Sequence, residues 1–240
     1  MKIAGYLEES QSDYPGKTSS VVFTPGCNYN CPACYNKTLL KMDEIINPNK
    51  IFKYLDKGEG WIDGVVLCGG EPTLQEGLKE FAQAIKSRNL AVKLDTNGSN
   101  PKALRNLLKS GCIDYVAMDV KAPKNLYDKV AGVKVDLDNI EESMKTVQNF
   151  PHHEFRTTVV PVIRGENNIS YLNKDEISNL AKWIVDVTGH DSHKYYLQKY
   201  VCKKGEMVDK RLDDIENTPM PLMEELKEAA LEHLPNADIR

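Results

Sequence analysis

Short apolar runs rich in β-branched residues alternate along the chain with longer stretches in which apolar positions recur at helical spacing. This alternation is typical of repeated strand–helix units around a parallel sheet. The predicted strands are Ser19–Thr24, Gly64–Leu67, Ala91–Asp95, Tyr115–Asp119, Phe155–Val160 and Lys194–Gln198. The predicted helices lie near Pro48–Lys57, Leu74–Ser87, Pro101–Ser110, Leu137–Asn149, Lys174–Thr188 and Met220–His233. An α/β fold is expected, although periodicity alone does not separate a doubly wound sheet from a partial barrel.

Residues with capping preferences mark the ends of these helices. Asn100 is a favoured N-cap, Pro101 suits the first helical position, and Gly111 suits the helix end. Leu104 and Leu107 recur on one face of the intervening turns. The sequence therefore predicts an amphipathic helix whose apolar side packs against the sheet.

Composition and charge limit the number of domains and the classes of partner that we expect for this chain. The 240 residues show no linker or internal repeat, so we expect one domain, with a core of about 17–200 and a helical extension of about 205–240. A net charge of −4 argues against a nucleic-acid partner, because such domains usually carry a basic surplus. No stretch approaches the roughly 18 apolar residues that span a bilayer. We expect a cytoplasmic protein without a membrane partner. Disulfides are rare in the reducing cytoplasm.

The residues of unusual type follow the predicted strands. The first two strands lead into "PGCNYNCPACYN" and "CGGEPT", and the next two end in "LDTNGSNP" and "MDVKAP". Proteins with parallel sheets place ligand sites at the carboxyl ends of their strands. The pattern therefore predicts one concave site built from several strands.

Three of the six cysteines fall within one short loop. Cys27, Cys31 and Cys34 have the spacing C-x₃-C-x₂-C. A structural zinc site normally takes four protein ligands, and a catalytic one more often includes histidine. A [4Fe–4S] cluster held by three thiolates leaves one iron open for a small chelating ligand. Buried structural cysteines that happen to cluster are the simpler alternative, and we assign that role to Cys68, Cys112 and Cys202.

Charged residues at the strand ends form a second group of candidates. Asp95 and Asp119 end adjacent predicted strands. Two neighbouring carboxylates repel, so they imply a cation, a lysine such as Lys121, or a shared proton. Arg156 lies inside an otherwise apolar strand, where burial would require an anionic partner.

The cysteine motif followed by Gly69-Gly70-Glu71-Pro72 resembles the radical S-adenosylmethionine (radical SAM) superfamily. The later motifs look like those of anaerobic ribonucleoside-triphosphate reductase activating proteins, relatives of pyruvate formate-lyase activating enzyme. The resemblance covers about residues 17–200. It implies a partial (β/α)₆ barrel that binds a [4Fe–4S] cluster and SAM.

The resemblance also implies roles for individual residues. The three loop cysteines would bind the cluster, whose open iron takes the amino and carboxylate groups of SAM. Glu71 would pair with the SAM ammonium, and Lys121 with Asp119 would form a catalytic pair. A monovalent cation would be held by Asp95, Thr96 and Asp119. The remaining implied SAM contacts are Gly69, Gly70, Pro72, Asn97, Arg156 and Gln198.

One position departs from the common superfamily pattern. Most members have an aromatic residue just before the third cysteine, where this chain has Ala33. The ribonucleotide reductase activases have a small residue there and a tyrosine after the cysteine, as Tyr35 is here. Tyr35 would then either stack on the adenine of SAM or serve only in packing.

The resemblance implies reductive cleavage of SAM to methionine and a 5′-deoxyadenosyl radical, which abstracts hydrogen from a glycine of a partner glycyl-radical enzyme. A flavodoxin or ferredoxin would supply the electron. Two alternatives stay open. One is a small-molecule radical SAM enzyme such as a 7-carboxy-7-deazaguanine synthase, and the other is a non-catalytic iron–sulfur or zinc-binding scaffold.

Overall fold

A mostly parallel sheet organises the chain, which a computed structural model describes over residues 1–40, 45–57 and 61–240. The strands are β1 (Gly5–Ser10), β2 (Ser19–Thr24), β3 (Gly64–Gly69), β4 (Ala91–Thr96), β5 (Tyr115–Asp119), β6 (His152–Val159), β7 (Val162–Gly165), β8 (Asn168–Ser170), β9 (Tyr195–Lys199) and β10 (Ala237–Ile239). The helices are α1 (Lys37–Leu40), α2 (Pro48–Lys57), α3 (Leu78–Lys86), α4 (Pro101–Ser110), α5 (Tyr127–Ala131), α6 (Leu137–Val147), α7 (Lys174–Thr188) and α8 (Met220–Leu231).

The main sheet has the strand order β1-β2-β3-β4-β5-β6-β9-β10. Strands β2 to β9 of this series are parallel, and they are the six strands predicted from the sequence. Strand β1 adds an antiparallel edge, and β10 adds a parallel one. In the described part of the chain the sheet is an open series of strands, as expected for a partial barrel.

The six predicted helices are present as α2, α3, α4, α6, α7 and α8. In α4 the Asn100 side chain accepts a hydrogen bond from the Ala103 N–H, and Gly111 ends the helix at a φ of +64°. Leu104 and Leu107 are buried. Capping and apolar spacing therefore predict this helix correctly.

Several elements were not predicted. No residue of strand β1 is buried, and its sequence GYLEES lacks the apolar run that marks the other strands. The segment 205–240, predicted as a helical extension, contains α8 but also β10, which joins the main sheet. A strand of three residues is too short to give a periodic signal.

The two faces of the sheet differ in polarity. Most buried side chains lie between the sheet and its helices, in one cluster that extends from Ile3 to Ala237. On the other face, a small apolar cluster around Val66 and Tyr115 gives way to charged residues toward the carboxyl ends of the strands. Among the described residues, no helix combines the length and hydrophobicity that a membrane span requires.

Candidate active site

The loop that carries Cys27, Cys31 and Cys34 directly follows β2, and all three cysteines are half-buried. Neighbouring segments fix its backbone from several sides. The Glu71 N–H donates to the Gly26 carbonyl at 2.8 Å, and the Asn30 N–H donates to the Ala131 carbonyl at 3.0 Å. The cysteine loop is thus held by the β3 end and by α5.

A third support comes from the segment 200–213 after β9, which we call the strap. The Val208 N–H donates to the Cys34 carbonyl at 3.1 Å, and the Asp209 N–H donates to the Pro32 carbonyl at 3.0 Å. The Asp213 carboxylate accepts hydrogen bonds from two backbone N–H groups of the strap. These contacts make the strap a defined support for the third cysteine.

Glycine is required where backbones approach the cysteine loop most closely. A Cβ on Gly70 would collide with the carbonyl of Gly26. Gly132, at a φ of +69°, would collide with the carbonyl of Asn30. Both positions lack room for a side chain, which explains the second glycine of the "GGEP" turn.

Glu71 lies between the ends of β3 and β4, and its expected pairing with the SAM ammonium stays a prediction. Its side chain is completely buried, and its carboxylate accepts hydrogen bonds from Thr73, Thr96 and the Asn97 N–H. Burial raises the pKa of Glu71, and these hydrogen bonds oppose that rise. The role of Glu71 in this structure is to join the end of β3 to the end of β4.

Asn97 lies directly beside the cysteine loop. Its Nδ2 is 3.8 Å from the Cys27 Sγ and donates to the Asn28 Oδ1 at 3.0 Å. Asn28 in turn donates to the Ser99 hydroxyl at 2.9 Å. Sequence reasoning missed Asn28 and Ser99, because only the fold brings these segments together.

A chain of alternating charges crosses β4, β5 and β6 on the face away from most helices. Arg156 is buried between two carboxylates, with Nη1 2.9 Å from the Asp95 Oδ2 and Nε 3.0 Å from the Asp119 Oδ1. Lys121 Nζ donates to the Asp119 Oδ2 at 2.7 Å. Lys93, which sequence reasoning missed, pairs with the Asp95 Oδ1. Its signal was a lysine inside an apolar strand.

This arrangement differs from the expected cation site. Asp95 and Asp119 already pair with protein cations, and the Thr96 hydroxyl donates instead to Glu71 at 2.7 Å. Successive residues of a strand point to opposite faces, so Thr96 points away from Asp95. The three expected ligands therefore do not converge.

The charges around Asp119 fix the protonation of neighbouring groups. Burial alone would raise the pKa of Asp119, but Lys121 and Arg156 outweigh it and lower that pKa to about 2. Burial lowers the pKa of Lys121, but Asp119 and Cys31 outweigh it and raise that pKa well above its ordinary value. Both groups are ionised at neutral pH.

The remaining expected contacts occupy more varied positions. Pro72 is buried and begins a short 3₁₀ turn at Pro72–Leu74. Tyr35 is 42% exposed, with the Lys203 ammonium 4.2 Å from its ring centroid. Gln198 is half-buried on β9 and shares a face with the residue aligned to Arg156. Both side chains are therefore partly accessible to solvent, and their contacts with SAM stay predictions.

The donor set fits an iron–sulfur cluster better than a single ion. Within the described residues, no three His, Cys, Asp or Glu side chains lie close enough to hold one metal ion. A cluster takes each thiolate at a different iron, so its three sulfurs need not meet at one point. Burial raises the pKa of the Cys31 thiol to about 11, although the Lys121 charge opposes this. Cluster assembly must therefore displace protons.

Two buried hydroxyls, one on the cysteine loop itself and one on α5, support the same assignment. That of Tyr29 has no hydrogen-bond partner among the described residues, and that of Tyr127 has only the nearby Lys121 N–H. Both are close enough to Cys31 for the thiolate charge to affect their pKa values. Buried polar groups are normally satisfied, so polar atoms of a bound group fit this position.

The family model described as "Radical SAM superfamily" matches residues 21–173. A relative from Methanocaldococcus jannaschii, named "Putative glycyl-radical enzyme activating enzyme", is 32% identical over a 248-residue alignment that covers 99% of this chain and 95% of the relative. A second protein of that name from the same organism is 31% identical, covering 68% of this chain and 61% of its own length. The 7-carboxy-7-deazaguanine synthase of Clostridium acetobutylicum is 32% identical, but the match covers only 45% of this chain and 49% of the synthase.

Solved structures show the same fold. SuiB from Streptococcus suis superposes with a TM-score of 0.65 at 14% identity, covering 92% of this chain and 48% of SuiB. A domain of pyruvate-formate lyase-activating enzyme from Bacteroides vulgatus superposes with a TM-score of 0.52 at 16% identity, covering 74% of this chain and 98% of that domain.

Proposed function

Because the chain belongs to the radical SAM superfamily and is a radical SAM enzyme, we propose that it activates a glycyl-radical enzyme by abstracting hydrogen from a glycine of that partner. The observation that carries this proposal is the similarity to a relative with that name along 99% of this chain and 95% of the relative. A match of this extent includes the strap and the C-terminal elements as well as the cluster loop.

Cys27, Cys31 and Cys34 would hold the [4Fe–4S] cluster that the family implies. When bound, the cluster supplies the electron that cleaves SAM into methionine and a 5′-deoxyadenosyl radical. The chain's own contribution is a loop whose backbone is fixed by β3, α5 and the strap. Because the supporting bonds belong to the protein, the loop is positioned before any ligand arrives.

The charged face suits the carboxylate of SAM. Arg156 and Lys121 remain cationic because their pKa values are raised by neighbouring carboxylates, which outweigh the effect of burial. Lys121 therefore acts as a fixed positive charge and hydrogen-bond donor, and Asp119 orients it. Neither Lys121 nor Asp119 is therefore suited to accept a proton from a substrate at neutral pH.

The first experiment tests SAM cleavage. The cluster is reconstituted anaerobically and reduced with dithionite in place of the flavodoxin or ferredoxin that we propose as the donor. SAM is added, and 5′-deoxyadenosine is measured by chromatography and mass spectrometry. We expect production by the wild type and by Cys112→Ala, and none by Cys31→Ala, because only Cys31 belongs to the cluster loop. Production by the Cys31 variant would contradict the assignment.

The second experiment tests the partner. The reduced enzyme and SAM are mixed with a candidate glycyl-radical enzyme, and the glycyl radical is measured by EPR spectroscopy. We expect a partner-dependent signal that disappears when the target glycine is replaced. Turnover of a pterin-like small molecule without any such signal would favour the deazaguanine synthase alternative. The partial match to the Clostridium acetobutylicum enzyme supports that alternative.

A further inference from the structure

Lys93 carries a buried ammonium group on the charged face of β4. Lys93 lies near the middle of β4, and its side chain is 2% exposed. Residues two apart on a strand share a face, so Lys93 and Asp95 point the same way, toward Arg156. A lysine at such a position is costly unless a carboxylate compensates it. That partner is Asp95.

Every carboxylate oxygen in the charge chain has a cationic partner. Asp95 accepts from Lys93 and Arg156, and Asp119 accepts from Arg156 and Lys121. Three positive groups thus face two negative ones. Both carboxylates are therefore already compensated by protein cations, and an additional monovalent cation would gain little Coulomb attraction from them.

The geometry leads to the same conclusion. The Thr96 hydroxyl, one of the three oxygens expected around a cation, is committed to Glu71 at 2.7 Å and also accepts the Gly98 N–H at 3.1 Å. It lies on the opposite side of β4 from Asp95. The cation that the sequence resemblance implies therefore does not fit the residues of this chain.

We propose that the ammonium of Lys93 takes the place of a bound monovalent cation. The charged face of β4, β5 and β6 would then be stabilised without such an ion. Lys93 acts as a positioning residue, because it neutralises Asp95 and thereby fixes the orientation of Arg156. The proposal concerns charge compensation inside the sheet, so it stands whether or not the partner is a glycyl-radical enzyme.

The test compares salts at equal ionic strength, so that general screening is the same in each. The thermal unfolding midpoint of the reconstituted protein is measured in KCl, in NaCl and in choline chloride, whose cation is too large for a small oxygen-lined site. For the wild type we expect equal midpoints in all three salts. A midpoint that rises in KCl or NaCl and saturates with ion concentration would overturn the proposal.

The variant Lys93→Ala supplies the second arm, because it removes the ammonium and leaves space beside Asp95. We expect its midpoint to fall by about 5 to 10 °C in choline chloride and to recover partly in KCl or NaCl. Lys86→Ala is the matched control, since Lys86 also pairs with an aspartate, at 2.7 Å, but on the half-exposed surface. It should show no cation-specific recovery.

A Lys93→Ala protein that is as stable as the control and insensitive to the cation would overturn the role of Lys93. If the alanine variant does not fold, the wild-type comparison decides alone, since equal midpoints support the proposal and a saturable cation effect refutes it. SAM cleavage measured in the same three salts should likewise be equal for the wild type.

Discussion

Glu71 shows how one buried side chain sets the position of two segments. Its carboxylate accepts from the Thr73 N–H at 3.1 Å and from the Asn97 N–H at 2.7 Å, so it joins the turn after β3 to the loop after β4. Asn97 in turn contacts Cys27. A buried donor left without an acceptor costs about 1 to 3 kcal/mol. The Glu71 carboxylate therefore supports the cysteine loop through Asn97, in addition to the direct hydrogen bond from the Glu71 N–H to the Gly26 carbonyl.

Replacing Glu71 with glutamine should destabilise the protein. The amide places an NH₂ group where the carboxylate accepted hydrogen bonds, so at least one buried N–H or hydroxyl group loses its acceptor. We expect the free energy of unfolding to fall by about 2 to 4 kcal/mol, measured by urea denaturation.

Glu76→Gln provides the comparison for this variant, because Glu76 is a nearby glutamate that is exposed. It should change the free energy of unfolding by less than about 0.5 kcal/mol. If Glu71→Gln were as stable as the wild type and only weakened SAM binding, Glu71 would contact the ligand directly, and the structural role described above would be wrong.

The sequence reveals some of these residues and hides others for physical reasons. Arg156 could be recognised because a charge inside an apolar strand needs a partner, and Lys93 carries the same signal in "AVKLD". The contact between Asn28 and Ser99 could not be recognised, since it joins residues 71 positions apart. Glu71 could be placed at the site from its motif, but its hydrogen bonds to Thr73, Thr96 and Asn97 could not be foreseen, because burial depends on the packing of several segments.

Some secondary-structure elements could likewise be predicted from the sequence, and others could not. Strands β2 to β6 and β9 have apolar runs long enough to predict, and each leads to part of the site. Helix α5 has only five residues, and the strap lacks periodicity, so neither was predicted. Yet both hold the cysteine loop, through Ala131 and Val208 respectively. Irregular supports of this kind depend on tertiary contacts rather than on local propensity.

The contact between α5 and the cysteine loop can be tested with Gly132→Ala. An alanine at positive φ costs about 1 to 2 kcal/mol, and here its Cβ would also collide with the Asn30 carbonyl. Because Asn30 is next to Cys31, we expect the loop to shift. The reconstituted variant should contain at most about half the wild-type iron and sulfide per chain, because removing supporting contacts of metal ligands typically weakens metal affinity about 10- to 100-fold.

Gly111→Ala is a close control for this variant. Gly111 also ends a helix at positive φ, but a Cβ there would meet no atom within 4 Å. Both variants carry the free-energy cost of an alanine at positive φ, but we expect only Gly132→Ala to disturb the cysteine loop. Equal iron content in the two proteins would mean that α5 does not position the cysteines.

The two ends of the sheet have different electrostatic character. The carboxyl ends of β4, β5 and β6 carry the paired charges, whereas histidines cluster at the amino ends of β6 and β9. His193 is 1% exposed, and its Nδ1 lies 2.9 Å from the His153 Nε2. The His190 ring lies 3.9 Å from that of His193, measured between centroids. The folded chain therefore keeps His193 neutral.

This histidine cluster makes the stability of the whole chain dependent on pH. Burial, followed by the charges of His190 and His153, lowers the pKa of His193 from an ordinary value of 6.5 to about 4. Between these values the unfolded chain binds a proton that the folded chain does not, so stability falls as the pH decreases from 6.5 toward 4. We expect a loss on the order of 2 kcal/mol from this group by pH 5, measured by urea denaturation.

Substituting His193 with glutamine should reduce this loss between pH 7 and pH 5, even if the variant is less stable at both values. His152→Gln removes an exposed histidine at the same end of the sheet and should leave the slope near that of the wild type. The comparison uses slopes rather than absolute stabilities, because the lost hydrogen bonds to His153 and Thr188 affect both pH values equally. An unchanged slope in the His193 variant would show that acid sensitivity arises elsewhere, for example in the paired carboxylates at the opposite end of the sheet.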